Sequence, residues 1–315
     1  MSDLKLINME DVEVEEVKWL IYPFIPYGKI TIIQGDPGEG KTTLVLQIIA
    51  RLTKGENIVN EEAKEPINVI YQTAEDGLAD TIKPRLLSAD ADCSKVLVID
   101  DKDTPLTMRD VRLEQAIIET NAKLVVLDPI QGFLGADVDM HRANEIRPVM
   151  KHIAELAEKY KCAIILIGHM NKCSVGKSAY RGLGSIDFQA AARSVLIVGR
   201  IKDEPEIRVV CQTKSSLAPE AKSIAFRLSE ENGFEWVGEY DVSADDLLSG
   251  TAKGTKKQAA MDFLESLLSG GQMSQTEIME LAERKSIAEK TLRNAKEALG
   301  IKSKRENNQW YWSLD

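Results

Sequence analysis

Eight consecutive residues, Gly35-Asp36-Pro37-Gly38-Glu39-Gly40-Lys41-Thr42, follow the spacing G-x-x-x-x-G-K-T directly after the β-branched run Ile30-Thr31-Ile32-Ile33-Gln34. Glycines at these positions permit a tight loop whose backbone N–H groups come close to phosphate oxygens. The apolar-periodic stretch beginning at Lys41 puts a helix N-terminus behind the loop, and its dipole favours an anion there. In that arrangement Lys41 reaches the β- and γ-phosphates of a nucleotide, and the Thr42 hydroxyl completes the shell of a bound Mg2+. With Thr43 these residues form the candidate nucleotide-binding set. A glycine-rich turn with no ligand is the competing explanation, disfavoured because strand and helix are both in place.

A further oxygen ligand for the metal is expected at Asp128, which ends the apolar run Leu124-Val125-Val126-Leu127 at the carboxyl edge of a strand. Open α/β sheets bind their ligands at that edge. Hydrolysis also needs a group that orients or deprotonates water. Glu75 and Asp76 follow the strand-like Val69-Ile70-Tyr71 within Gln72-Thr73-Ala74-Glu75-Asp76-Gly77, and Glu75 is the candidate base. Adjacent acids after a strand also occur simply as favourable charges at a helix start.

The elements that must position these side chains read as short apolar strands alternating with helices. Strands are predicted over 29–34, 67–72, 95–99, 123–127, 163–168, 194–199, 208–213 and 223–228, and helices over 41–54, 80–88, 109–120 and 144–159. Near-continuous apolar strands separated by helices imply an α/β fold, a mainly parallel sheet flanked by helices. The later strands, joined by Gly, Pro and charged turns, read as an antiparallel extension. Ser249-Gly250-Thr251-Ala252-Lys253-Gly254-Thr255 is small, polar and Gly-containing, which suits a linker. The expected division is a core over 1–248, a linker over 249–255 and a second domain over 256–315.

That second domain carries helical periodicity over 256–269, then capping boxes at Ser274-Gln275-Thr276-Glu277 and Ser286-Ile287-Ala288-Glu289 that open two more helices. A hairpin about Glu306-Asn307-Asn308 follows. Three helices and a two-stranded wing make the winged helix pattern, a helix-turn-helix variant. Lys290, Arg293 and Lys296 fall near one face of the third helix, and Lys302, Lys304 and Arg305 lie in the wing, so DNA phosphates are the expected partner. A winged helix used for protein contacts is the alternative. Strand alternation sets Tyr311 opposite Trp310 and Trp312 and makes it the exposed member.

Composition bounds the rest. A hydrophobic fraction of 43% and a charged fraction of 29% fit a globular protein. No apolar run approaches the roughly 18 residues of a membrane helix, and the start of the chain lacks a secretory pattern. A cytoplasmic protein with no membrane partner is expected. Cys93, Cys162, Cys173 and Cys211 form no C-x-x-C pair, so buried reduced thiols are expected. The net charge of −10 divides unevenly, with about −12 before the linker and about +2 from Thr251 onward.

Several motifs together resemble a known family. Trp19 to Lys29 leading into the phosphate loop, Tyr71 to Gly77, Asp128-Pro129-Ile130, Gly168-His169-Met170-Asn171-Lys172, Arg181-Gly182-Leu183-Gly184-Ser185 and Ala191-Ala192-Arg193-Ser194 are similar to the RecA-like ATPases of the RepA hexameric helicase type. These are commonly labelled AAA-family ATPases of phages, plasmids and mobile elements, and the resemblance spans roughly 17–236. It implies that Glu75 activates water and that His169 senses the γ-phosphate and passes its state to the loop behind it. It implies that the 171–184 loop, with Lys172, Lys177, Tyr180 and Arg181, touches single-stranded DNA, as cations and an aromatic can. A second channel loop over 132–142 holds Asp137 and Asp139 and is poor in cations. Lys214 matches the position of a finger that completes the next subunit's site, with Arg181 and Arg193 as rivals.

The expected protein is thus a Mg2+-dependent ATPase that forms a ring, of hexamer type, and moves on or remodels DNA. The alternative is a regulatory DNA-binding ATPase in which ATP controls assembly without unwinding. A small-molecule kinase is disfavoured because nothing resembles an acceptor lid.

Overall fold

The computed structural model describes residues 4–58, 65–170, 186–202, 204–249, 256–285, 287, 289–306 and 309–314. The chain opens with β1 (Trp19–Ile21) and β2 (Ile25–Pro26), a small antiparallel pair, then β3 (Ile30–Gly35) and α1 (Lys41–Lys54). There follow β4 (Val69–Thr73), α2 (Lys83–Ser88), β5 (Val96–Leu97), α3 (Val111–Thr120), β6 (Leu124–Asp128), α4 (Ala143–Tyr160) and β7 (Ala163–His169). After α5 (Ile186–Ala191) come β8 (Ser194–Ile201), β9 (Glu204–Ser215), β10 (Ser223–Ser229), β11 (Gly233–Tyr240) and α6 (Ala244–Ser249).

Nine strands form one sheet in the order β11-β10-β9-β8-β3-β7-β6-β4-β5. Strand alternation divides its side chains between two apolar layers. Ile30, Ile32, Val125, Leu127, Ile164 and Leu166 face the layer built with α3 and α4, whereas Ile33, Tyr71, Val126, Ile165 and Ile167 face α1 and α2. By the same period of two, Asp128 and His169 fall on the α1 face at the carboxyl edge. The fold therefore aims both at the phosphate loop.

Three differences from the sequence reading concern the sheet. β8 pairs parallel with β3, Thr31 opposite Ser194, before the sheet turns antiparallel at β9. A parallel neighbour needs a long crossover, and the stretch between β7 and β8, which includes α5, supplies one. β11 was not foreseen, since its Gly233 and Gly238 interrupt the apolar pattern, and Gly238 takes φ 102 beside a register shift. At the other edge β5 covers only Val96–Leu97 of the expected 95–99. There the buried Gln72 side chain receives the Ile99 N–H at 3.0 Å and donates to the Ile99 carbonyl at 3.0 Å, taking the place of a strand ladder.

The C-terminal segment contains α7 (Lys256–Leu268), β12 (Met273–Ser274), α8 (Gln275–Arg284), α9 (Glu289–Ala298), β13 (Lys302–Glu306) and β14 (Gln309–Ser313). Its strands form a sheet in the order β12-β14-β13, one strand more than the expected hairpin. Phe263, Leu264, Ile278, Leu292, Ile301 and Trp312 close an apolar core of their own. Ser274 caps α8 by accepting the Glu277 N–H at 3.3 Å, as its capping box foretold. Trp312 is buried at 3% exposure while Trp310, two residues nearer the hairpin tip, is 47% exposed, so Trp310 rather than Tyr311 is the open aromatic. The two tryptophans share a face, but the core extends only under Trp312.

No helix among the described residues is long and apolar enough to cross a membrane. Cys162 and Cys211 are buried free thiols, each pushed up to about 11 by burial, and Cys93 is a partly buried free thiol. Cys173 lies outside the described residues.

Candidate nucleotide-binding site

The phosphate loop joins β3 to α1. Gly38 and Gly40 adopt φ of 80 and 87, the left-handed region that glycine enters without strain. A Cβ on Gly40 would approach Leu228 Cδ1 to 2.7 Å, so β10 packs directly against the loop. Helix α1 starts with no side-chain cap and no acid in its first turn, unlike α3, where Asp110 accepts the Arg112 N–H. Its first-turn N–H groups are left for an external anion.

Lys41 is buried and donates from Nζ to the carbonyls of Gly35 at 2.9 Å and Asp36 at 2.8 Å. Burial holds its pKa below the usual lysine range, against the pull of Asp128, Asp36, Glu39 and Glu75. An arriving phosphate supplies the anionic partner that carbonyls cannot. Lys41 Nζ also lies 3.4 Å from His169 Nδ1. An ammonium can only donate, so in this contact Nδ1 is the accepting atom, and the ring's other nitrogen is Nε2. That nitrogen is 3.9 Å from Glu75 Oε2. Three motifs from three separate strands thus stand in line: phosphate loop, His169, Glu75.

Thr42 donates from Oγ1 to Asp128 Oδ2 at 2.7 Å, and Tyr71 donates its hydroxyl to the same oxygen at 2.8 Å. A hydroxyl and a carboxylate are the hard oxygen donors that Mg2+ prefers, so the residues present fit the metal. Asp128 is 7% exposed. Burial raises its pKa, only partly opposed by the Thr42 and Tyr71 hydrogen bonds and by Lys41. A carboxyl whose folded pKa is raised stabilises the fold below its unfolded pKa and loses that contribution as pH rises through the folded value. Asp128→Asn is therefore expected to raise the melting temperature of the ligand-free protein at pH 7 to 8, at roughly 2–4 °C per kcal/mol for a domain this size. The gain should vanish as pH falls below the ordinary aspartate range, which thermal melts across pH will check.

Thr73 turns the chain after β4, its Oγ1 accepting the Asp76 N–H at 3.1 Å and the Glu75 N–H at 3.4 Å. Asp76 is tied to Arg85 at 3.1 Å, which leaves Glu75 as the acid facing the site, with a side chain 64% exposed.

Lys214 sits elsewhere. It pairs with Val195 at the amino end of the sheet, far along β9 from its own phosphate loop. Its Nζ donates to the carbonyls of Gln189 at 2.7 Å and Ala190 at 3.2 Å in the last turn of α5. Desolvation and the Arg193 charge lower its pKa. Lys172, Lys177, Tyr180 and Arg181 lie outside the described residues.

Arg200 was missed by sequence reasoning. At the end of β8 it reaches the Gly38 carbonyl at 3.4 Å and Glu39 at 3.8 Å, bracing the loop from the strand beside it. No local signal marks it, because the contact depends on β8 lying next to β3. On the C-terminal segment, Arg293 is held by Glu289 at 2.6 Å, Lys304 by Glu306 at 2.8 Å, and Lys296 rests over the Trp312 ring at 4.6 Å. Much of the charge expected to face DNA is engaged locally.

A parallel-centred sheet with an uncapped phosphate loop, a buried strand-end aspartate and a facing glutamate defines a RecA-like P-loop ATPase. The chain belongs to the AAA_25 family, described as an AAA domain, whose model matches residues 2–175. Among curated relatives, DNA repair protein RadA of Halalkalibacterium halodurans is 27% identical over 165 residues, 51% of this chain and 32% of that one. Protein RecA of Sinorhizobium medicae is 25% identical over 227 residues, 68% of this chain and 60% of that one. The chain thus spans less than two thirds of these relatives. A KaiC-like protein from Pyrococcus horikoshii superposes with a TM-score of 0.50 at 18% identity, covering 71% of this chain and 97% of that one, and shares the fold.

Proposed function

We propose that the chain is a Mg2+-dependent ATPase that assembles into a ring, of hexamer type, and acts on DNA as a helicase or helicase-like replication protein of a mobile element. The observation that carries this reading is the line Lys41, His169, Glu75, which runs from the phosphate loop to the end of β7, where the 171–184 segment begins. Glu75 deprotonates or orients the attacking water. His169, between the lysine and the base, senses the γ-phosphate and transmits its state to that segment. Thr42 and Asp128 hold Mg2+, which when bound offsets phosphate charge.

Lys214 acts in the adjoining subunit: a group at the amino edge of the sheet serves another copy's site better than its own. Arg193 beside it, and Arg181, remain rivals for the role. Self-association is supported further by the arm before β1, where Leu4, Leu6, Ile7, Met9 and Val14 are all exposed. Apolar side chains in such a row call for a covering surface, and a second copy provides it. Residues 256–315 form the winged helix domain, joined by the 249–255 linker, and contact DNA phosphates.

The second reading is a regulatory ATPase that binds DNA without unwinding it, with Arg293 and Lys304 of the C-terminal segment giving up their local pairs to Glu289 and Glu306 for phosphate. Such exposed pairs are worth about 0–1 kcal/mol and exchange readily for phosphate. Fork unwinding by the full chain, measured beside ATP turnover with and without single-stranded DNA, separates the two. The motor predicts DNA-stimulated turnover and strand separation. Turnover indifferent to DNA, with salt-sensitive duplex binding and intact forks, selects the regulatory reading.

A further inference from the structure

Tyr71 is fully buried on β4, and a buried phenol hydroxyl needs a partner. Register explains which one it finds. Tyr71 stands opposite Val126 and Thr73 opposite Asp128, so Tyr71 and Asp128 share the α1 face, one diagonal step apart. The Tyr71 hydroxyl and the Thr42 hydroxyl both donate to Asp128 Oδ2, at 2.8 and 2.7 Å. Among the described residues no hydrogen bond occupies Oδ1. The two donors differ in where they stand, since Thr42 lies in the first turn of α1 at the phosphate loop and Tyr71 belongs to the sheet.

We propose that Tyr71 is a positioning residue for the metal: its hydroxyl fixes Asp128 through Oδ2 and leaves Oδ1 as the oxygen offered to Mg2+ or to a water of its shell. The inference rests on the reading of Asp128 as the site's metal-holding carboxylate. Loss of a hydrogen bond that orients a metal-holding carboxylate costs roughly 10- to 100-fold in metal affinity. Tyr71→Phe keeps the ring and removes only the hydroxyl, so the buried packing of β4 against α1 is retained.

The test is calorimetric binding of a non-hydrolysable ATP analogue to the full chain across a Mg2+ titration, with EDTA as the zero point. Tyr71→Phe is expected to raise the Mg2+ midpoint about 10-fold or more while leaving nucleotide affinity in EDTA close to wild type. Asp128→Ala should abolish the Mg2+ dependence, and Tyr71→Phe added to it should change nothing further. A wild-type midpoint in Tyr71→Phe, with Asp128→Ala still Mg2+-insensitive, overturns the role of Tyr71 and keeps that of Asp128. An intact Mg2+ response in Asp128→Ala overturns the metal reading and this inference together.

Discussion

Lys41→Ala is expected to remove ATP binding and, with it, all turnover. Lys41 is the one cation buried inside the phosphate loop, held by the carbonyls of Gly35 and Asp36 until an anion arrives. Each hydrogen bond from a charged donor is worth roughly 1.5–3 kcal/mol. Two such bonds to phosphate correspond to a loss of about 100-fold to 10,000-fold in affinity. The ligand-free fold should tolerate the change, because burial already disfavours the Lys41 charge. Lys41→Met, which keeps most of the stem, separates charge from packing. Calorimetry with ATP checks both variants, and retention of micromolar affinity in Lys41→Met would assign the binding to another cation.

Glu75→Gln has the opposite signature. The amide keeps the size and the turn set by Thr73 but cannot take a proton from water. General-base catalysis contributes about 100-fold to 10,000-fold, and turnover should fall by that factor while ATP affinity stays near wild type. Asp76 is directed to Arg85, 3.1 Å away, rather than to the site. Equilibrium binding of unhydrolysed ATP to this variant reads out the retained affinity.

Both residues were legible in the sequence, and for a shared reason. Spacing alone defines the phosphate loop, the apolar run that stops at Asp128 marks the carboxyl edge of a sheet, and Glu75 follows another strand-like run, whereas the role of His169 is what the family resemblance implies. The longer α-helices were equally clear, α4 extending over Ala143–Tyr160 against an expected 144–159 despite Pro148 inside it, whereas the six-residue α5 and α6 are too short to show a helical period. What could not be read are the contacts created by strand order. The bond from Tyr71 to Asp128 requires β4 beside β6, and the grip of Arg200 on Gly38 requires β8 beside β3. The seating of Lys214 on the last turn of α5 depends on β9 folding back along β8. In each case the side chain types are unremarkable and only the register gives them partners. The C-terminal charges show the converse, since a basic helix face read from spacing is partly neutralised by an acid one turn away, Glu289 beside Arg293.

The central claim is that this cleft hydrolyses ATP with Glu75 as its base. Rapid-quench single-turnover measurement of phosphate release, with protein in excess over ATP, tests it with product release removed from the rate. The account predicts a clear phase of phosphate formation in wild type and, in Glu75→Gln at saturating protein, bound ATP that persists unhydrolysed about 100-fold longer or more. Phosphate formed at the wild-type rate by the Glu75→Gln variant would contradict it.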